Sequence, residues 1–187
     1  MTDLFLNNIN VYAKIALENR NLSRVKFQEA RNVSSVSEHV SLVLESRKHA
    51  IVTIVFSAFT LEAYINDYAA RKGLKKYLND LSFVKKWVEI PKLVTGKEFS
   101  KDQQCYSLLE ELKNSRNELV HSKSKALSLE NQADVKKIGD DVYSLAKSAE
   151  KAVETIFAVI KYLTEIDPEE KQFLLGLNSG ISINERN

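Results

Sequence analysis

The chain of 187 residues carries a formal net charge of +2, is 44% hydrophobic and 28% charged, and holds only 5 glycines and 2 prolines. That length suits one domain with a sizeable core, residues 1–187 with a frayed tail at 178–187. So few turn-forming residues exclude a many-stranded sheet and predict an all-α, up-and-down helical bundle with two long helices and extra short ones.

Residues 4–16 place Leu4, Phe5, Ile9, Tyr12, Ile15 and Ala16 at mixed threes and fours, the pattern of an amphipathic helix. Asn19-Arg20-Asn21 is expected to loosen it, with a second helical piece over 22–31. Ser34, Ser35 and Ser37 then mark a break, and Ser35 stands three residues before Glu38 as in a capping box. From 37 to 72 no proline or glycine interrupts the chain, and Gly73 follows as a helix stop. Residues 51–56 have the β-branched content of a buried strand, but the apolar run continues through Asn66, too long for a strand. Two short helices or turns are expected over 74–81 and 83–94, the second punctuated by Pro91 and Gly96. Ser100 and Gln103 have capping-box spacing and open a helix bearing Tyr106, Leu108, Leu109, Leu112, Leu119 and Val120. After a break at 122–128, Ser128 can cap a last long helix with a single apolar stripe from Val135 to Leu163. Asp167-Pro168-Glu169-Glu170 reads as another helix start.

The N-terminal residues lack the basic-then-apolar pattern of a secretory signal, and the lone Cys105 has no disulfide partner, so a reducing cytoplasm is the expected location. The apolar run over 50–65 is shorter than a bilayer span and is broken by Thr53, Ser57, Thr60 and Glu62; it reads as a core helix, with no membrane partner. No glycine-rich phosphate loop is present, and His39, His49 and His121 lack partners at ligand spacing, so neither a metal nor a cofactor is expected. His39 and His49 read as solvent-facing, and Cys105 as a half-buried structural thiol.

Charge is unevenly spread. Residues 71–125 hold 13 Lys or Arg against 7 Asp or Glu, a local +6 that leaves −4 for the rest. Within this basic part, residues 115–123 read Ser-Arg-Asn-Glu-Leu-Val-His-Ser-Lys. Arginine is a planar cationic fork suited to phosphate oxygens, and histidine can take and give a proton near neutrality. On a continuous helix, Arg116 and His121 point about 140° apart, whereas Asn117 and His121 share a face. Arg116 and His121 therefore meet only if the helix frays at Val120 or if two copies of it face each other.

The run Arg116-Asn117-Glu118-Leu119-Val120-His121 resembles the signature of the HEPN superfamily (higher eukaryotes and prokaryotes nucleotide-binding): an arginine, usually a polar residue next, then a histidine four to six positions on. Leu61-Glu62-Ala63-Tyr64-Ile65-Asn66 and Ile90-Pro91-Lys92-Leu93-Val94-Thr95-Gly96-Lys97 also resemble, in this order, stretches of bacterial HEPN-like proteins. The likeness covers about residues 50–123. It implies a small helical bundle, a homodimer formed through the motif helices and, in active members, a metal-independent endoribonuclease, such as a toxin or defence element held by an antitoxin protein. His121 is then the general base or acid at the ribose 2′-hydroxyl and leaving oxygen. Arg116 holds the scissile phosphate, and Asn117 positions a phosphate oxygen or the imidazole. Glu62 and Asn66 are supporting residues, and Lys113, Lys123 and Lys125 are candidate phosphate or RNA contacts.

Structural roles compete with these. Arg116 can pair with Glu62, an acid in the most apolar helix that needs a partner. His121 suits a helix C-terminus when protonated, and Asn117 can cap or bridge helices. A non-catalytic HEPN-like module that binds nucleotide, RNA or protein is the alternative to the ribonuclease, and a plain helical scaffold is the third.

Overall fold

In a computed structural model that describes residues 8–77, 79–97, 99, 104–121 and 132–171, the chain is all-helical. Its helices are α1 (Asn8–Ala30), α2 (Val36–Arg71), α3 (Phe83–Thr95), α4 (Gln104–His121) and α5 (Gln132–Ile166), with 3₁₀ turns at Lys75–Tyr77 and Pro168–Glu170. The expected cap at Ser100, the break at 122–128, the Ser128 cap and the tail lie outside the described residues.

Local chemistry sets the ends of α2. Ser35 is its N-cap, and its Oγ accepts from the Glu38 amide at 3.5 Å. At the far end Gly73 takes φ 74°, which turns the chain so that Leu74 N donates to Ala69 O and Gly73 N to Ala70 O. These are the two bonds of a Schellman stop. Residues 51–56 are helical, because α2 runs through them without a break.

Three expectations are corrected. α1 is one helix through Asn19-Arg20-Asn21, because tertiary contacts hold that stretch. Asn19 Nδ2 donates back to Ile15 O at 2.9 Å, which leaves its Oδ1 to accept from His49 Nδ1 at 2.7 Å. One turn on, Ser23 and Ser46, both buried, each donate a hydroxyl to the other's carbonyl, at 3.0 and 2.9 Å. His39 Nδ1 donates to Ala30 O at 2.8 Å. The two histidines thus tie α1 to α2 instead of facing solvent. Pro91, expected to punctuate, lies inside α3 and is buried beside Ile90; Gly96, at φ 72°, ends that helix.

Helix directions follow from contacts far apart along each pair. α1 runs antiparallel to α2 through the contacts above. α5 runs parallel to α2 in register: Tyr68 meets Asp167 and Arg71 meets Glu170, each 99 residues apart, and Val43 and Val142 share a buried cluster at the opposite end. α4 runs antiparallel to α5, with Glu111 and Lys151 paired at 2.7 Å. Hence α2 and α5 form the central layer, α1 flanks one side and α4 the other, with α3 crossing near the top of α2. Trp87, Ile54, Leu61, Ile65, Leu109, Ile156 and Ile160 fill the middle and are essentially fully buried. Burying each contributes about 1.5–3 kcal/mol. By length and composition alone α2 is long and apolar enough to cross a membrane; half of its most apolar window is buried inside the bundle.

The upper end is closed by a polar network. Tyr64 Oη donates to Glu170 at 2.7 Å, and Arg71 grips both oxygens of the same carboxylate at 2.7 and 2.8 Å. Tyr68 Oη donates to Asp167 at 2.9 Å, and Lys72 bridges Asp167 and Glu169. Glu170 is 3% exposed and Asp167 6%, so these acids need their donors. Burial first, then the adjacent carboxylates, push both tyrosines above their ordinary range. For Asp167, burial alone raises the value, but Lys72 and Tyr68 outweigh it and hold it below the ordinary 3.8.

Glu170→Ala takes the carboxylate from the buried Tyr64 hydroxyl, while Arg71 keeps Asp67 at 2.8 Å, and it is expected to cost about 1–3 kcal/mol in urea unfolding. Loss of the exposed Lys14–Glu18 pair by Lys14→Ala should cost only about 0.3–0.5 kcal/mol.

Stability should also depend on pH with a sign set by each group. Tyr68 resists ionisation when folded, so its contribution is present below the ordinary 10.0 and is lost as pH rises above it. Burial, its largest influence, lowers the His49 value, so its contribution is present above the ordinary 6.5 and is lost as pH falls below it. Tyr68→Phe should flatten the alkaline limb of the stability profile and His49→Gln the limb below about pH 6.5, as read from urea midpoints across pH.

Candidate functional site

α4 brings the motif to its exposed end. Cys105, Leu109 and Leu112 are buried at positions four and three apart, and Arg116, four further on, continues that stripe. It is half-buried where the helix would otherwise place a core residue. Asn117 and His121, one turn apart, are both exposed on another face. Among the described residues none of the three has a hydrogen-bond or ion-pair partner.

The helix is unbroken from Gln104 to His121, so no fray at Val120 swings the imidazole round. Arg116 and His121 stay about 140° apart around the axis and about 7–8 Å apart along it. Asn117 and His121 come together in one chain; Arg116 and His121 do not.

Glu62 takes a different partner from the arginine considered for it. Lys86, 8% exposed in α3, donates from Nζ to Asn66 Oδ1 at 3.0 Å and lies 3.5 Å from Glu62 Oε1. The cause is the packing of α3 on α2: Trp87 stacks on Tyr64 with ring centres 5.9 Å apart and planes within 3°, which carries the neighbouring lysine stem under Glu62. Glu62 and Asn66 therefore support Lys86 and leave Arg116 uncommitted. Lys86 was not singled out from sequence, although an acid and an amide one turn apart on an apolar helix call for a cation.

Of the candidate phosphate contacts, Lys113 is paired with Glu110 at 2.7 Å, and Lys123 and Lys125 lie outside the described residues. Cys105 is 7% exposed, and burial is the main cause that pushes its thiol up, so its place is in the core. Among the described residues, no three His, Cys, Asp or Glu side chains form a group that could hold a metal ion.

Comparison of the chain with protein-family models, with curated proteins and with solved structures finds no match. The site has to be read from its own chemistry. A guanidinium on a core stripe, with no paired carboxylate among the described residues, can take an anionic group. An exposed imidazole can take and give a proton, and an exposed amide one turn away can orient it by a hydrogen bond.

If Glu62 answers to Lys86, Lys86→Ala should destabilise the protein by about 1–3 kcal/mol, because it leaves a half-buried carboxylate short of its donor. Arg116→Ala should change stability by less than about 0.5 kcal/mol in the same urea titration. In a double-mutant cycle, Glu62 should couple to Lys86 and not to Arg116.

Proposed function

We propose that this protein is a metal-independent endoribonuclease of the HEPN type, whose active unit is a homodimer in which Arg116 of one copy works with His121 of the other. The observation that carries the reading is the uncommitted, half-buried Arg116 beside the exposed Asn117 and His121 on an unbroken helix. Two such helices facing each other across a twofold axis bring an arginine from one copy opposite a histidine from the other, twice over. Val120, 73% exposed between them, is an apolar contact available to that second helix.

The chemistry needs only these groups and the RNA itself. His121 takes the proton of a ribose 2′-hydroxyl as the O2′–P bond forms and the P–O5′ bond breaks. The proton passes through solvent to the departing 5′-oxygen, leaving a 2′,3′-cyclic phosphate and a 5′-hydroxyl. Arg116 holds the phosphate and offsets the charge gathering on its oxygens, and Asn117 orients the imidazole or a phosphate oxygen. RNA is the substrate because only ribose offers that hydroxyl.

Purified protein should cleave RNA in EDTA, and Arg116→Ala and His121→Ala should each reduce the rate by at least about 100-fold. Mixing the two inactive variants should restore roughly a quarter of wild-type activity, since half the dimers are mixed and each mixed dimer rebuilds one of its two sites. Absence of cleavage across varied RNAs, or full activity in both single variants, sinks the reading. A strictly monomeric protein that still cleaves removes the shared site.

A further inference from the structure

Beside the motif lies a cleft that the proposed reaction does not use. It measures about 340 Å³ and opens between α4 and α5. That is at the lower end of the roughly 300–1,000 Å³ spanned by small-molecule sites. Its origin is in the sequence: where α4 descends towards His121, α5 meets it with the small side chains of Ser144, Ser148 and Ala152. Nearer the other end of the same pair, Phe99 packs edge-on against Tyr162 at 4.8 Å. The large rings fill one end of the interface and the serines leave the other open.

The lining has three kinds of group. Leu108, Leu112 and Ala152 give it an apolar floor, and Asn114, Ser115, Ser144 and Ser148 add hydrogen-bonding groups with no partner among the described residues. Its lips carry opposite charges, Lys147 and Lys151 from α5 against Glu111 and Glu118 from α4. Lys151 is spent on Glu111 at 2.7 Å. Lys147 has no carboxylate partner among the described residues; its Nζ rests 4.5 Å from the centre of the Tyr143 ring, which holds the ammonium at the rim. Glu118 has no partner among the described residues.

We infer that this cleft seats a single ribonucleotide, the unit of the RNA next to the scissile bond; the RNA assignment rests on the ribonuclease reading above. The flat face of a base lies on the apolar floor. Its edge and the ribose hydroxyls meet the serine hydroxyls, Asn114 and the free carboxylate of Glu118, and a phosphate meets Lys147. A cleft with balanced charge on its lips suits a ligand that is part donor and part anion, and it does not suit a bare anion. Position supports the same ligand. Asn114, Glu118 and His121 follow at i, i+4 and i+7 on α4, so the cleft and the imidazole share one stripe, and Glu118 is about 5 Å along the axis from His121.

The test is binding of nucleoside 3′-monophosphates to the full chain, followed by calorimetry and by amide NMR shifts, with no cleavage readout. Wild type should bind saturably, with shifts centred on Ser144 and Ser148. Ser148→Trp, which fills the cleft, and Lys147→Glu, a change at an exposed position that leaves the core alone, should each weaken binding by roughly tenfold or more. Lys14→Ala, an exposed position on α1 away from the cleft, should bind as wild type does. Saturable binding lost in either cleft variant with its thermal melt unchanged supports the cleft even if no RNA is ever cleaved, which separates it from the ribonuclease reading. No binding of any mononucleotide at millimolar concentration, or equal binding by wild type and both cleft variants, overturns it.

Discussion

The grip of Arg71 and the two tyrosines of α2 on the carboxylates that follow α5 governs the rest of this fold. Parallel helices joined by a long connection have no tight turn to set their register. Here Tyr64 and Arg71 share Glu170, and Tyr68 and Lys72 share Asp167, so a slip of one residue would separate every pair at once. A buried carboxylate costs several kcal/mol unless all its acceptor positions are used, and that penalty makes the correct register exclusive. With α2 and α5 locked, α1 and α4 can only add to the two sides of the layer, and α4 is thereby placed with its motif at an exposed end.

The candidate site owes its character to the same placement. α4 enters the bundle on Cys105, Leu109 and Leu112, and the stripe reaches Arg116 where the core thins. Because Lys86 answers Glu62 and Asn66, Glu62 is not the partner of the arginine. A cation kept half out of water without a partner among the described residues is what the proposed reading uses to hold an external anion. The regularity of α4 has an equal effect: a helix continuous to His121 keeps guanidinium and imidazole on different faces, which is why the proposed reaction calls on two copies. In the proposed reading, the cleft on the α5 side extends the site along the substrate, since seating a nucleotide would hold the neighbouring phosphate in place for reaction.

Much of the fold was legible because local signals and tertiary needs agreed. Ser35 before Glu38 and Gly73 after an unbroken apolar run bound α2 to within a residue or two, since caps and left-handed stops are decided by atoms close in sequence. Disagreement arose where distant contacts overrode local preference. The polar triplet of 19–21 reads as a loosening point, yet Asn19 is taken up by His49 and the helix continues. Pro91 reads as punctuation within 83–94, yet α3 carries it unbroken against the core. His39 and His49 read as surface residues because nothing near them in sequence shows that a carbonyl and an amide of α1 are waiting.

By itself, the sequence determined the helical class, the extent of the long α2 and the grouping of arginine, amide and imidazole on α4, because each depends on spacing within a few turns. The tertiary structure alone decided which charges are spent. Glu62 went to Lys86, the tyrosines of α2 went to Asp167 and Glu170, and Arg116 was left with no partner among the described residues. Pairing among charges is a matter of distances between helices, and those distances are set by how the helices pack, which no local pattern encodes.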